Sequence, residues 1–291
     1  MIAKNLQALI HQIEITTKKK VSGPLLGGAR STLKGLGYEF NQLREYVQGD
    51  DIRFIDWKSS ARSSKILVRE YLEDRNRTLY LVVDISSSTE FGTVKDDLGH
   101  PLSKADLIKQ LAAVLAFSSL HLKDSVGLIL FSDIIEKIIP ARRSRNHVLG
   151  LIQALFTHKA QSVKTNVNAA LEYIARLKGQ KNIVCLLSDF MAPLDKKILS
   201  IAARRQDLLA IRCLDRREKS FPEVGTLVMK DSETGIEVPI AGSYKISKDL
   251  NYWHENQKDH LVSARVDNLD CEVGVSFTGP LLHFLRYRVY G

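Results

Sequence analysis

Two apolar runs in this chain end the same way: LYLVVD (79–84) and NIVCLLSD (182–189) each close a short, branched segment on an aspartate. Buried parallel strands read like this, because both faces are covered and alternation is lost. Between and after them, helical and strand patterns take turns. KADLIKQLAAVLAFSSLH (104–121) has helical periodicity, SVGLILF (125–131) reads as a strand, and EKIIPA (136–141) reads as an edge strand because of Pro140. Helices follow at 144–156, with Ser144 as cap, and at 166–179, closed by Gly179. A helix near 194–206 leads into the strand DLLAIRCL (207–214). Such alternation predicts an α/β fold: a central, mostly parallel sheet with helices on both faces. For the tail the pattern predicts a hairpin at 225–240, a helix near 245–264, a strand at 271–277 and a last short helix.

Residues 1–79 read differently. A helix near 2–16 precedes the basic, glycine-rich 21–40, and short strands and turns are expected from there to the 65–73 run. Two regions result: 1–78, smaller and irregular or β, and 79–291, the α/β domain with a carboxyl-terminal extension. A length of 291 residues accommodates both.

Composition narrows the function classes. Apolar residues are 44% and charged residues 26%, so a packed core is expected. No run approaches the roughly 18 apolar residues of a membrane span, and the start lacks the pattern of a secretory signal. Three scattered cysteines (Cys185, Cys213, Cys271) with no CxxC spacing point away from disulfides and structural zinc, and towards a cytoplasmic setting. The net charge is +9, and residues 1–79 hold 14 Lys/Arg against 9 Asp/Glu, more than half of the surplus. Acids interleave with these bases, so nucleic acid is not the expected partner. GPLLGG (23–28) lacks the GK[ST] of a phosphate loop, and the eight histidines show no metal-ligand spacing.

The sharpest constellation is Asp84-Ile-Ser86-Ser-Ser88, directly after a strand. Alternate residues of an extended segment point the same way, so Asp84, Ser86 and Ser88 can converge beyond the strand end. A carboxylate and two hydroxyls are hard oxygen donors suited to Mg²⁺, with Mn²⁺ as the alternative. Thr165, before a helix, and Asp189, at the next strand end, can approach from neighbouring loops. With one of the two carboxylates held in the second shell through water, a divalent ion is left underneutralised, with room for an outside acidic side chain. The competing bland reading is a serine-rich turn whose aspartate caps local amides. An aspartyl phosphatase is excluded, because Ser86 stands where its second aspartate would act.

This pattern resembles the metal-ion-dependent adhesion site of von Willebrand factor type A domains: Asp-x-Ser-x-Ser, a later Thr, then an Asp. It falls on Asp84, Ser86, Ser88, Thr165 and Asp189. Ser87 and Thr89 stand where Gly and Met are frequent, and Lys164 where Gly is usual. A second block resembles the domain-of-unknown-function 58 family: Ser31, Gly35, Gly37, Glu39, Phe40, then Arg44, Tyr46, Gly49, Asp50, Asp51, Arg53, Ile55, Asp56, Trp57, Ala61 and Arg62. That resemblance implies association with a MoxR-type AAA+ ATPase and with other von Willebrand A proteins, and peripheral membrane attachment through such partners. Read from its residues, the block is an ion-pair network holding an irregular segment against the sheet, with Trp57 as a core anchor. A recognition surface is the other reading of Arg44, Asp50, Asp51, Arg53, Asp56, Trp57 and Arg62.

The expected function is therefore a non-enzymatic, metal-dependent protein-interaction module, an adaptor or co-chaperone. The alternative is a metal-dependent hydrolase or nuclease using the strand-end aspartates.

Overall fold

A computed structural model describes residues 39–48, 50–72, 77–96, 98–178, 181–219, 226–230, 235–241 and 243–290. The helix expected at 2–16, the signature residues Ser31, Gly35, Gly37 and Gly49, and the closing Gly179 lie outside them. Two strands come first, β1 (Glu39–Glu45) and β2 (Leu67–Leu72), paired antiparallel as a separate two-stranded sheet. Between them lie a single 3₁₀ turn, Ile52–Phe54, and the short helix α1 (Trp57–Ser60).

The main sheet has six strands: β3 (Thr78–Asp84), β6 (Ser125–Phe131), β7 (Ile135–Arg142), β8 (Ile183–Ser188), β9 (Asp207–Leu214) and β12 (Asp267–Glu272). Their spatial order is β12-β9-β8-β3-β6-β7, which in chain order is the 3-2-1-4-5-6 of doubly wound folds. All neighbours are parallel except the edge strand β7, which carries Pro140 and runs antiparallel to β6. Two minor ladders complete the strands: β4 (Val94–Lys95) with β5 (Pro101–Leu102), and β10 (Thr226–Lys230) with β11 (Glu237–Ala241).

Helices cover both faces, as the alternation requires. Leu79, Leu81 and Val83 of β3 face α2 (Lys104–His121) and α3 (Arg145–Thr157), while Val82 faces α4 (Val167–Arg176) and α5 (Lys196–Arg205). Two further helices, α7 (Ser243–Ser263) and α8 (Thr278–Tyr290), flank β12, and α6 (Arg216–Lys219) follows β9. α2 begins with a reciprocal capping box between Ser103 and Asp106, and Ser144 caps α3 as expected. The cysteines are free and buried, and burial pushes the Cys185 thiol up to about 12.

One strand differs from expectation. The apolar alternation CEVGVSF predicted 271–277, but the strand is Asp267–Glu272. Gly274, at φ +78°, turns the chain away after Val273. The polar segment is held instead by parallel pairing to β9 and by Arg212, whose guanidinium grips Asp270 through two 2.7 Å bonds.

Candidate functional site

β3 is the central strand from which the chain winds first towards β6 and later towards β8, so the β3–β8 crevice is the switch point where such sheets bind ligands. Asp84 ends β3 and Asp189 directly follows β8, so both flank that crevice. Asp84 is 1% exposed. Its Oδ1 accepts the Ser86 amide at 3.0 Å and the Ser86 hydroxyl at 2.6 Å, and its Oδ2 accepts the Ser188 hydroxyl at 2.5 Å. Burial and then the charge of Asp189 push the Asp84 carboxyl up to about 7, against those hydrogen bonds.

The serines continue outward. Ser86 Oγ lies 3.1 Å from Ser88 Oγ, which lies 3.3 Å from Thr165 Oγ1. Thr165 reaches this row because its loop is pinned twice. Ser87 donates its hydroxyl to the Val163 carbonyl at 2.5 Å, and Glu136 of β7 accepts from His158 and the Gln161 amide. Ser88 and Thr165 are half-buried, so the row opens to solvent at that end only. Oxygens bound to one octahedral Mg²⁺ at its usual 2.0–2.1 Å stand about 3.0 Å apart on adjacent vertices. The spacing of the three hydroxyls fits that requirement, with Asp84 behind them.

Asp189 is arranged differently. Its Oδ2 accepts from the Lys104 ammonium at 2.8 Å, and its Oδ1 accepts the Met191 amide at 3.1 Å. Lys104 also donates to Glu218 Oε1 at 2.5 Å and sits 5.5 Å above the Phe91 ring centre. Burial pulls the Lys104 pKa down, but the two carboxylates more than offset it and the net shift is upward. Phe190 adopts a left-handed backbone at φ 55°, a conformation a bulky residue rarely holds. Ser188 Oγ accepts the Phe190 amide and Trp253 Nε1 donates to its carbonyl, fixing the turn that aims Asp189.

Of the five expected residues, the structure thus links Asp84, Ser86, Ser88 and Thr165 in one hydrogen-bonded row, and places Asp189 beside it in an ion pair with Lys104. Lys104, Glu218 and Ser188 escaped sequence reasoning. Lys104 follows a helix cap, where a lysine ordinarily points to water, and only the fold brings it under Asp189. A cleft of about 250 Å³ beside Asp84 is also lined by Thr89, Lys109, His158 and Lys159. Among the described residues, no three His, Cys, Asp or Glu side chains gather at metal-ligand spacing.

The 44–62 block carries ion pairs on the β1–β2 unit, one of which ties Asp56 before α1 to Arg69 of β2. Arg44 grips Asp50 in two bonds of 2.6 and 2.7 Å, Arg53 pairs with Asp51 at 2.6 Å, and Asp56 pairs with Arg69 at 3.0 Å. Asp51 and Asp56 double as caps of the 3₁₀ turn and of α1, which explains their spacing. Trp57 is 67% exposed and is no core anchor, and Arg62 is exposed as well.

A six-stranded sheet of this order, one antiparallel edge, and a carboxylate–hydroxyl row at its switch point define a doubly wound α/β domain. Residues 42–259 match the family described as protein of unknown function DUF58, and the chain belongs to that family. It is 30% identical over 234 residues to the uncharacterized protein Rv1480 of Mycobacterium tuberculosis, covering 79% of this chain and 72% of that protein. The uncharacterized protein YeaD of Bacillus subtilis is 38% identical over 52 residues, 18% of this chain and 13% of that one. Solved structures give remote likenesses. The conserved hypothetical protein BatB of Bacteroides thetaiotaomicron overlaps with a TM-score of 0.47 at 10% identity, over 74% of this chain and 100% of that one. The SpRpn10 VWA domain overlaps with a TM-score of 0.35 at 10% identity, over 71% and 93%.

Proposed function

We propose that this chain is a non-enzymatic protein-interaction module whose contact point is a divalent cation, Mg²⁺ or Mn²⁺, at Asp84, Ser86, Ser88 and Thr165, with Asp189 beside them in its outer shell. The observation that carries the reading is the row of three hydroxyl oxygens, 3.1 and 3.3 Å apart, drawn from two loops in front of a buried carboxylate. A cation there would be reached from the Ser88–Thr165 side alone. It would supply an open coordination position for an acidic side chain of a partner, with Lys109 and Lys159 close by to favour an anion. The partner proposed is a MoxR-type AAA+ ATPase, with this chain as its adaptor or co-chaperone; family resemblance alone supports that choice.

Titration calorimetry with MgCl₂ and MnCl₂ tests the site. The wild type should release a binding heat that Asp84→Ala abolishes. Equal heats from the two proteins would remove the cation from the proposal.

A further inference from the structure

Lys104 is out of place by two physical criteria. It is 1% exposed, although an ammonium is among the groups most penalised by leaving water. It is also the first residue of the 18-residue helix α2, where the macrodipole disfavours a cation. Nothing in the local sequence requires it, because Ser103 and Asp106 already cap the helix. What holds it is the pair of carboxylates at its tip: Asp189 at 2.8 Å and Glu218 at 2.5 Å. Glu218 is itself tied down, since its Oε2 accepts the Asp215 amide at 3.0 Å. Asp84, Asp189 and Glu218 thus share a buried region with a single ammonium, and carboxylates outnumber it by two.

We infer that Lys104 is a resident cation that holds Asp189 out of a metal's inner shell and so sets how tightly the switch-point site binds a divalent ion. This deepens the function proposed above and rests on it. The geometry gives the direction. With Lys104 present, Asp189 has both oxygens engaged, and the donors left for an ion are the Ser86, Ser88 and Thr165 hydroxyls with Asp84. That shell of three hydroxyls and one carboxylate is poor in negative charge, so it binds weakly and exchanges readily. Without Lys104, Asp189 turns to the ion and adds a second carboxylate. The ammonium also balances part of the buried charge, so the fold does not depend on the metal.

Two variants of the full chain move the affinity in opposite directions. Glu218→Gln leaves Lys104 to Asp189 alone and should weaken Mn²⁺ binding about tenfold. Lys104→Met/Glu218→Gln preserves the buried charge excess, frees Asp189, and should tighten Mn²⁺ binding about tenfold. The double variant should also gain more melting temperature on adding Mn²⁺ than the wild type does. Calorimetry and thermal melts read both effects. Opposite shifts support the inference, as does a double variant that folds only with Mn²⁺. Wild-type affinity in both variants overturns it and leaves the cation site standing. A wild type that takes no Mn²⁺ beside a double variant that does supports Lys104 as the resident cation, and overturns metal binding by the native chain. No binding by any of the three proteins overturns both.

Discussion

His254 is 5% exposed on α7, and its Nε2 has no hydrogen-bond partner. Burial, then the charges of Arg212 and Lys104, lower its pKa to about 4, against the weaker pull of Asp189 and Asp270. A histidine depressed in this way is neutral in the folded protein and protonates in the unfolded chain near 6.5. The sign follows: its contribution is fully present above pH 6.5 and is lost as pH falls towards 4. The full shift corresponds to a loss of roughly 3 kcal/mol. His254→Gln removes the titration, so the stability gap between wild type and variant should narrow from pH 7 to pH 4 in denaturant melts. A gap independent of pH would mean that His254 does not titrate in this range. His254 also marks the limit of what the sequence discloses about single residues. Asp84, Ser86 and Ser88 were legible because five consecutive residues carry all three, although Ser88 joins the row from the 3₁₀ turn Ser87–Glu90 and not from the extended segment that alternation assumed. His254, Lys104 and Glu218 meet around Asp189 only after three separate helices have packed, and no local pattern announces that.

At the scale of elements, the strands that were legible are those buried on both faces. β3, β6 and β8 are near-continuous apolar runs and β9 is broken only by Arg212, so tertiary packing has no reason to overrule them. β12 was misplaced because its pairing to β9 and the Arg212–Asp270 grip, not apolar content, hold DNLDCE in the sheet. The β1–β2 unit was legible only as turns and short strands, and its charges separate into two kinds. Arg44 and Asp50 are largely shielded from solvent, with 22% and 15% of their side chains exposed, and Asp50 also accepts the Val47 amide. Arg44→Ala removes two charge-assisted bonds from that carboxylate and should cost on the order of 2 kcal/mol locally. Arg53 and Asp51 lie in solvent, where screening leaves an ion pair little weight. Amide hydrogen exchange across β1 and β2 distinguishes them: faster in Arg44→Ala, unchanged in Arg53→Ala. Equal acceleration in both would restore a cooperative network in which the exposed pair matters.

For the whole molecule the question is which surface meets a partner. No helix among the described residues is long and apolar enough to cross a membrane. The surfaces to compare are the sheet edge and the β1–β2 unit. The sheet edge offers a buried carboxylate, three hydroxyls and a cleft with Lys109, His158 and Lys159 on its wall. The β1–β2 unit offers exposed apolar side chains, with Val47 60%, Ile52 67% and Trp57 67% accessible. An ion held by hydroxyls and one carboxylate keeps part of its charge, and a partner's Asp or Glu completing its shell would bind by direct coordination. Binding through the edge should therefore depend on metal and on Thr165, whose hydroxyl is half-buried at the open end of the row. The measurement is surface binding to a MoxR-type AAA+ ATPase from the same organism, with and without EDTA, on wild type, Thr165→Ala and Trp57→Ala. Chelation and Thr165→Ala should weaken binding to a similar degree, and chelation should have little further effect on Thr165→Ala, because both act on one site. Trp57→Ala should stay sensitive to EDTA. If binding ignores both chelation and Thr165→Ala but fails in Trp57→Ala, the contact lies on the β1–β2 unit, and the switch-point row has another role.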